Sequence, residues 1–271
     1  MRICVLGLGE VGFATAKYIF EKGITMWGYD IDLAAVERAK RAGIIQATHV
    51  WDDIPSVEVY LISVYTGFKG GIPDFSTIYD VCEKIKTKMD SFTRPLVSIE
   101  STVTPGLCQR VFQDIFKMDV RMVHVPHRYW AEKPVKYGVM QKRVIGGVDS
   151  ESLREGLEFY RAVLGVPLHV VSSIETAEMS KIAENAFRYV QIAYAEELKM
   201  ICEEAGLSFD EVREACNTKW NIEILEAREG IGGRCLPKDI RYLTSLPGFN
   251  VLMNSALTVD KQYRKWFTLK D

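Results

Sequence analysis

Near the C-terminus the chain reads Gly-Ile-Gly-Gly-Arg-Cys-Leu-Pro-Lys-Asp, from Gly230 to Asp239. Glycines ahead of a thiol leave the backbone free to approach a ligand. A structural cysteine is more often a small hydrophobe packed in a strand or helix. Cys235 therefore reads as a candidate nucleophile, with an ammonium beside it at Lys238 and a carboxylate, Asp239, able to order a water. A second pair, Lys181 and Asn185, lies four residues apart and so on one face of a helix. A cation and an amide placed together can polarise a hydroxyl under oxidation or stabilise a developing oxyanion. The bland readings are a buried spectator thiol and a solvated helix face.

A third constellation sits at the start of the chain. Gly7-Leu8-Gly9-Glu10-Val11-Gly12 follows a short apolar run, and Asp30 ends the next one. Gly7 permits a tight turn, Gly9 lets backbone N–H groups reach a pyrophosphate, and Gly12 lets helix and strand pack closely. Glu10 and Val11 open the helix whose N-terminus attracts the phosphates. Asp30 suits ribose hydroxyls and repels a 2′-phosphate, so the expected cofactor is NAD rather than NADP.

The elements that must position these residues follow from periodicity. Apolar runs at 59–64, 95–99, 143–148 and 168–171 read as strands, and 74–89 and 150–164 as helices, with Pro105 as a further helix start. Alternation of this kind implies a Rossmann-type doubly wound parallel sheet, covered on both faces. A long helical pattern from Glu175 to Ala205 then opens an all-α part, so the expected domains are 1–173, which binds the cofactor, and 174–271. Ile182, Ala183, Ala186, Phe187, Val190, Tyr194, Leu198 and Ile201 form a stripe on that helix. A stripe so long invites burial against a second copy, and a homodimer through the helix is expected. Ser208 or Asp210 caps the helix after it.

Composition excludes several classes. A formal charge of -2 over 271 residues provides no case for nucleic acid or an anionic membrane. The 6 cysteines show no CxxC spacing, which suits a reduced cytoplasmic protein. No apolar run approaches the roughly 18 residues of a membrane span, and no signal peptide is expected ahead of the first strand. His124 and His127 form an HxxH without a third ligand, so no metal is expected.

Four stretches together resemble the UDP-glucose / UDP-N-acetylmannosamine 6-dehydrogenase family: Gly7–Gly12, Ile99–Gly106 (IESTVTPG), Thr176–Phe187 (TAEMSKIAENAF) and Gly230–Asp239. The segment from His124 into Arg143–Gly147 is closer to the branch that oxidises N-acetylated sugars. The resemblance implies oxidation of the C6 alcohol of a nucleotide-linked hexose, such as a UDP-hexose, to a carboxylate with two NAD. Cys235 would be the nucleophile that turns the intermediate aldehyde into a thiohemiacetal and then a thioester. Lys181, Asn185 and Asp239 would share the catalysis, Lys238 would contact the cofactor, and Thr66 and Thr102, at strand ends, would face the nicotinamide or a water near C6. Where the resemblance implies a glutamate, this chain has His127, which could serve as a base. The resemblance also implies a further α/β domain for the UDP, beyond the last residue of this chain. Two other readings stay open. One is a β-hydroxyacid-type dehydrogenase with a single hydride transfer, and the other is an NAD-binding remnant or half of a split enzyme.

Overall fold

The computed structural model describes residues 1–89 and 94–269. The chain divides into two compact units, 1–181 and 182–271, with the division inside the long helix.

The first unit opens with β1 (Ile3–Leu6), α1 (Glu10–Glu21), β2 (Met26–Tyr29), α2 (Leu33–Arg41) and β3 (Ala47–Thr48). The chain then crosses to β4 (Val59–Ile62), on the other side of β1. Ile3 is in register with both Met26 and Val59, and both pairings are parallel. A small hairpin, β5 (Gly67–Lys69) and β6 (Ile72–Asp74), leads into α3 (Ser76–Lys88). Next come β7 (Leu96–Ile99), α4 (Leu107–Asp114), β8 (Arg121–His124) and β9 (Arg143–Gly147). Helix α5 (Ser150–Leu157) continues as a π-helix, Glu158–Leu164, into β10 (Leu168–Val170). The sheet runs β10-β9-β8-β7-β4-β1-β2-β3.

This is the expected doubly wound sheet with one departure: β8 and β9 pair antiparallel. The connection between them, 125–142, carries turns and no helix, so it cannot make the crossover that a parallel pair needs. The central strands β1, β4 and β7 are buried along their whole length, as helices on both faces require. On one face Ile3, Val5, Val59 and Leu61 pack with Ala16, Ile19, Val36 and Ala39. Helix α4 begins at Leu107, not at Pro105. Gly106 sits in the left-handed region at φ 86 and holds the turn open for one residue more.

The second unit is helical. Helix α6 runs from Ile174 to Glu204, roughly 45 Å at 1.5 Å per residue. It is followed by α7 (Phe209–Asn217), α8 (Cys235–Thr244) and α9 (Val251–Thr268). Ser208 caps α7, its hydroxyl accepting the Glu211 N–H at 3.3 Å. Ala186, Tyr189 and Ala193 of α6 pack on Ile231, Ile240 and Ala256, and Ala195 and Cys202 on Phe209, Ala227 and Tyr263. Asp260 ties this core together. It accepts from the Tyr189 hydroxyl (2.9 Å), the Ile231 N–H (2.8 Å) and Arg264 Nε (3.0 Å).

The apolar stripe on α6 splits in two. Ile182 and Ala186 are buried, while Phe187, Tyr194 and Ile201 remain more than half exposed at seven-residue spacing. Among the described residues no helix is long and apolar enough to cross a membrane.

Candidate active site

Strand order reverses at β1, where chain leaves toward β2 on one side and β4 on the other. Ligands bind such sheets beyond the strand ends at this point. The glycine turn lies there. Gly7 has φ +89, and a Cβ on it would stand 2.5 Å from the Ser63 carbonyl oxygen; a Cβ on Gly12 would stand 1.8 Å from the Gly7 oxygen. Both positions admit only glycine. A Cβ on Gly9 would meet nothing within 4 Å, so open space lies where the N-terminus of α1 points. That is the place for a pyrophosphate. Glu10 and Val11 form the first turn of α1.

A cavity of about 310 Å³ adjoins the turn, lined by Gly7, Gly9, Tyr29, Asp30, Ser63, Tyr65 and Lys84 among others. Asp30 accepts the Leu8 N–H at 2.6 Å and the Asp32 N–H at 2.9 Å. These bonds fix the carboxylate in the wall of the cavity. Arg38 donates to the Leu8 carbonyl and stacks on Phe13. The residues present thus fit a dinucleotide.

Thr66 and Thr102 meet each other. The Thr66 hydroxyl donates to the Thr102 carbonyl at 2.8 Å, so it braces the loop after β7. Ser101 holds the same loop through its hydroxyl bond to the Val64 carbonyl, 2.7 Å.

Behind this loop lies a buried polar network absent from the sequence reading. Glu100 is fully enclosed and uses both oxygens. Oε1 accepts from Arg143 Nη1 (2.9 Å) and the Tyr160 hydroxyl (2.7 Å); Oε2 accepts from Ser63 Oγ (3.0 Å) and lies 2.9 Å from His127 Nε2. Burial alone would raise the Glu100 pKa. Its interactions with His127 and with the Arg143 charge, and the donated bonds, outweigh it and hold the carboxyl at about 2. His127 is itself enclosed, with Nε2 also 3.1 Å from Thr15 Oγ1. Its pKa is lowered, first by burial and then by Arg143, so the neutral ring donating to Glu100 is favoured. The imidazole that could serve as a base in place of a glutamate is thus enclosed and paired with an internal carboxylate. His124 is also buried and neutral, its pKa pushed to about 3 by burial.

Lys181 lies on α6 close enough to disfavour the charged forms of both histidines. One turn ahead of it, Glu178 is wholly buried and accepts the Gly106 N–H at 2.6 Å and the Cys108 N–H at 2.8 Å. Sequence reasoning quoted this glutamate only as part of a motif. The available signal was its i,i+3 spacing to Lys181 beside the buried Ala177 and Ile182.

In the second unit the structure brings several expected residues together. Cys235 is the first residue of α8 and is exposed, within the turn whose N–H groups lack helical partners. One turn on, Asp239 is buried. Asn185 Nδ2 donates to its Oδ2 at 2.5 Å and Lys238 Nζ lies 2.9 Å from its Oδ1. The Lys238 ammonium also lies over the Tyr242 ring at 4.6 Å. Cys4, Cys82, Cys108 and Cys202 are buried and Cys216 is exposed on α7; all six cysteines are free.

Comparison with known proteins joins these observations. Residues 35–164 match the NAD binding domain of the UDP-glucose/GDP-mannose dehydrogenase family, and residues 175–256 its central domain. The UDP-N-acetyl-D-mannosamine dehydrogenase of Pyrococcus horikoshii is 30% identical, over 90% of this chain and 64% of that protein. The enzyme of the same name from Escherichia coli is 28% identical, over 90% and 64%. A solved structure of the Pyrococcus horikoshii UDP-D-ManNAc dehydrogenase superposes with a TM-score of 0.89 at 28% identity, covering 98% of this chain and 69% of that one. A 3-hydroxyisobutyrate dehydrogenase from Salmonella typhimurium shares the fold at a TM-score of 0.69 and 16% identity, covering 99% of this chain and 93% of that one. The chain spans a little under two thirds of the length of these curated relatives.

Proposed function

The chain belongs to the UDP-glucose/GDP-mannose dehydrogenase family, two of whose domains match most of its length, and from that premise we propose that it oxidises C6 of a UDP-linked hexose to a carboxylate with NAD. An N-acetylated hexose is the first substrate to test, because the similar relatives carry the UDP-N-acetyl-D-mannosamine dehydrogenase name. The observation that carries the reading is the Cys235 site. An exposed thiol opens a helix, and one turn away a buried carboxylate is held by Asn185 and Lys238. A single hydride transfer has no use for that thiol.

NAD, when bound, supplies the hydride acceptor in both oxidations. The glycine turn and Asp30 hold it, and Thr66 fixes the Thr102 loop beside it. Lys181 and Asn185 stabilise negative charge on the C6 oxygen as the alcohol loses its proton and then its hydride. The aldehyde that results has no hydroxyl from which a second hydride leaves easily. The Cys235 sulfur adds to its carbonyl carbon, and the thiohemiacetal so formed loses the second hydride to become a thioester. Asp239 orders the water that attacks this thioester, which frees the thiol and the carboxylate. Over the cycle one alcohol and one water become one carboxylate, with two NAD reduced and three protons released.

His127 acts in this scheme as a support for Glu100. We propose that two copies pair through α6, covering Phe187, Tyr194 and Ile201, and that the protein works in the reducing cytoplasm, in keeping with its free cysteines. The test is NADH release from a panel of UDP-hexoses by the wild type and by Cys235→Ser. Uronate from the wild type and none from the variant, at equal NAD affinity, supports the reading. Full uronate formation by the serine variant, or no turnover of any sugar nucleotide by the wild type, overturns it.

A further inference from the structure

We propose that Glu178 is the positioning residue of the oxidation site: it locks the helix turn that carries Lys181 to the loop that carries Thr102. The inference rests on the reading above for what Lys181 and Thr102 do, and on the structure of the first unit for the lock itself.

Glu178 has no solvent exposure, and each carboxylate oxygen has its own donor. The Gly106 N–H reaches Oε2 at 2.6 Å and the Cys108 N–H reaches Oε1 at 2.8 Å. These are N–H groups at the N-cap and second residue of α4, a helix with no side-chain cap of its own at Gly106. A carboxylate supplied from α6 does the work that a Ser or Asp cap does elsewhere, and it meets the positive end of the α4 dipole. Burial raises the Glu178 pKa, and the two N–H bonds oppose that rise.

What hangs on the two ends of this contact decides its function. The loop from Ser101 to Pro105 is held at its start by the Ser101 and Thr66 hydroxyls, and Glu178 holds the turn where it ends. On the other side, Lys181 follows Glu178 by three residues, so its ammonium is displaced whenever that turn of α6 shifts. One carboxylate thus sets the separation between the threonine loop and the lysine. Bidentate acceptance fixes rotation as well as distance, which a single hydrogen bond cannot do. The Cys108 thiol adds a third contact to the same carboxylate, at the same end of α4.

The experiment is a double-mutant cycle on the full chain, with Glu178→Gln, Lys181→Ala and both together, measuring NADH release with the UDP-hexose that the wild type turns over best. The glutamine keeps the volume and one acceptor but points an amide at an N–H. A misplacement near 1 Å predicts a fall in kcat of roughly 10²-fold, with the KM for NAD within about two-fold of wild type. The loss vanishes in the Lys181→Ala background, where no ammonium remains to be misplaced. Glu178→Asp, too short to reach both N–H groups, does not rescue. A kcat within two-fold of wild type, or a Glu178→Gln penalty fully additive with Lys181→Ala, overturns the proposal. If the wild type turns over no sugar nucleotide, the functional reading fails and the lock is judged by NMR of 13C-methylated lysines. The Lys181 methyl signals shift in Glu178→Gln and stay in place in Val36→Ala, a core variant elsewhere in the first unit. Unmoved signals in Glu178→Gln refute the lock itself.

Discussion

Glu196 lies on α6 with no solvent exposure and no hydrogen-bond partner at either oxygen among the described residues. Burial is the main reason its pKa rises from 4.5 to about 8; the Asp260 carboxylate adds to the rise and Arg264 opposes it. The sign of the consequence follows from proton linkage. The native state holds the proton more tightly than the unfolded chain, so rising pH costs stability between the unfolded value and the folded one. At about 1.4 kcal/mol per unit, the cost is about 1 kcal/mol at pH 5, about 3 at pH 7, and at most about 5 at pH 9. Glu196→Gln removes the titration while keeping the shape. Urea unfolding of wild type and variant at pH 5, 6, 7 and 8 should show curves that lie within about 1 kcal/mol of each other at pH 5. They should separate by about 4 kcal/mol at pH 8, with the variant more stable. Parallel curves over that range would refute the argument that Glu196 is buried as a lone acid.

Further outcomes are expected on the cofactor side and in the buried network. Gly12→Ala pushes a methyl into the Gly7 carbonyl, so calorimetric NAD binding should be lost while the far-ultraviolet circular dichroism is kept. Asp30→Ala should weaken NAD at least about ten-fold and narrow its advantage over NADP, because the acid that excludes a 2′-phosphate is gone; unchanged affinities for both would discount Asp30. Glu100→Gln leaves the enclosed Arg143 without its carboxylate. The expected cost is about 3–5 kcal/mol, seen as a melting temperature roughly 10 °C lower. A melting point within a degree of wild type would show that the network does not carry the charge.

The cofactor unit was legible because its signals are local. A glycine turn, the run before it and the acid after it lie within 30 residues, and steric limits on Gly7 and Gly12 leave little choice of residue. The long helix was legible from length and periodicity. Which side of it stays exposed was not, because Ala186 and Phe187 are neighbours in the pattern and only tertiary packing separates them. The antiparallel β9 escaped for a related reason: strand direction depends on whether 125–142 forms a crossover helix, and its residues form turns instead. Helix α9 went unread because its apolar residues follow no clean stripe; Asp260, within it, is buried by bonds to Tyr189 and Ile231 far off in sequence. His127 and Glu178 illustrate the same limit. Glu178 was quoted only inside a motif, and the pairing of His127 with Glu100 left no local signal, because the partners, Glu100 and the Gly106 N–H, lie far off in sequence.

The claim at the centre is that Cys235 carries the second oxidation. The most direct measurement counts NADH against uronate for a UDP-hexose taken to completion by the wild type, then repeats the count with Cys235→Ser. The account predicts two NADH for each uronate from the wild type, and no uronate from the variant. One NADH for each sugar consumed by the wild type, with no acid formed, would contradict it.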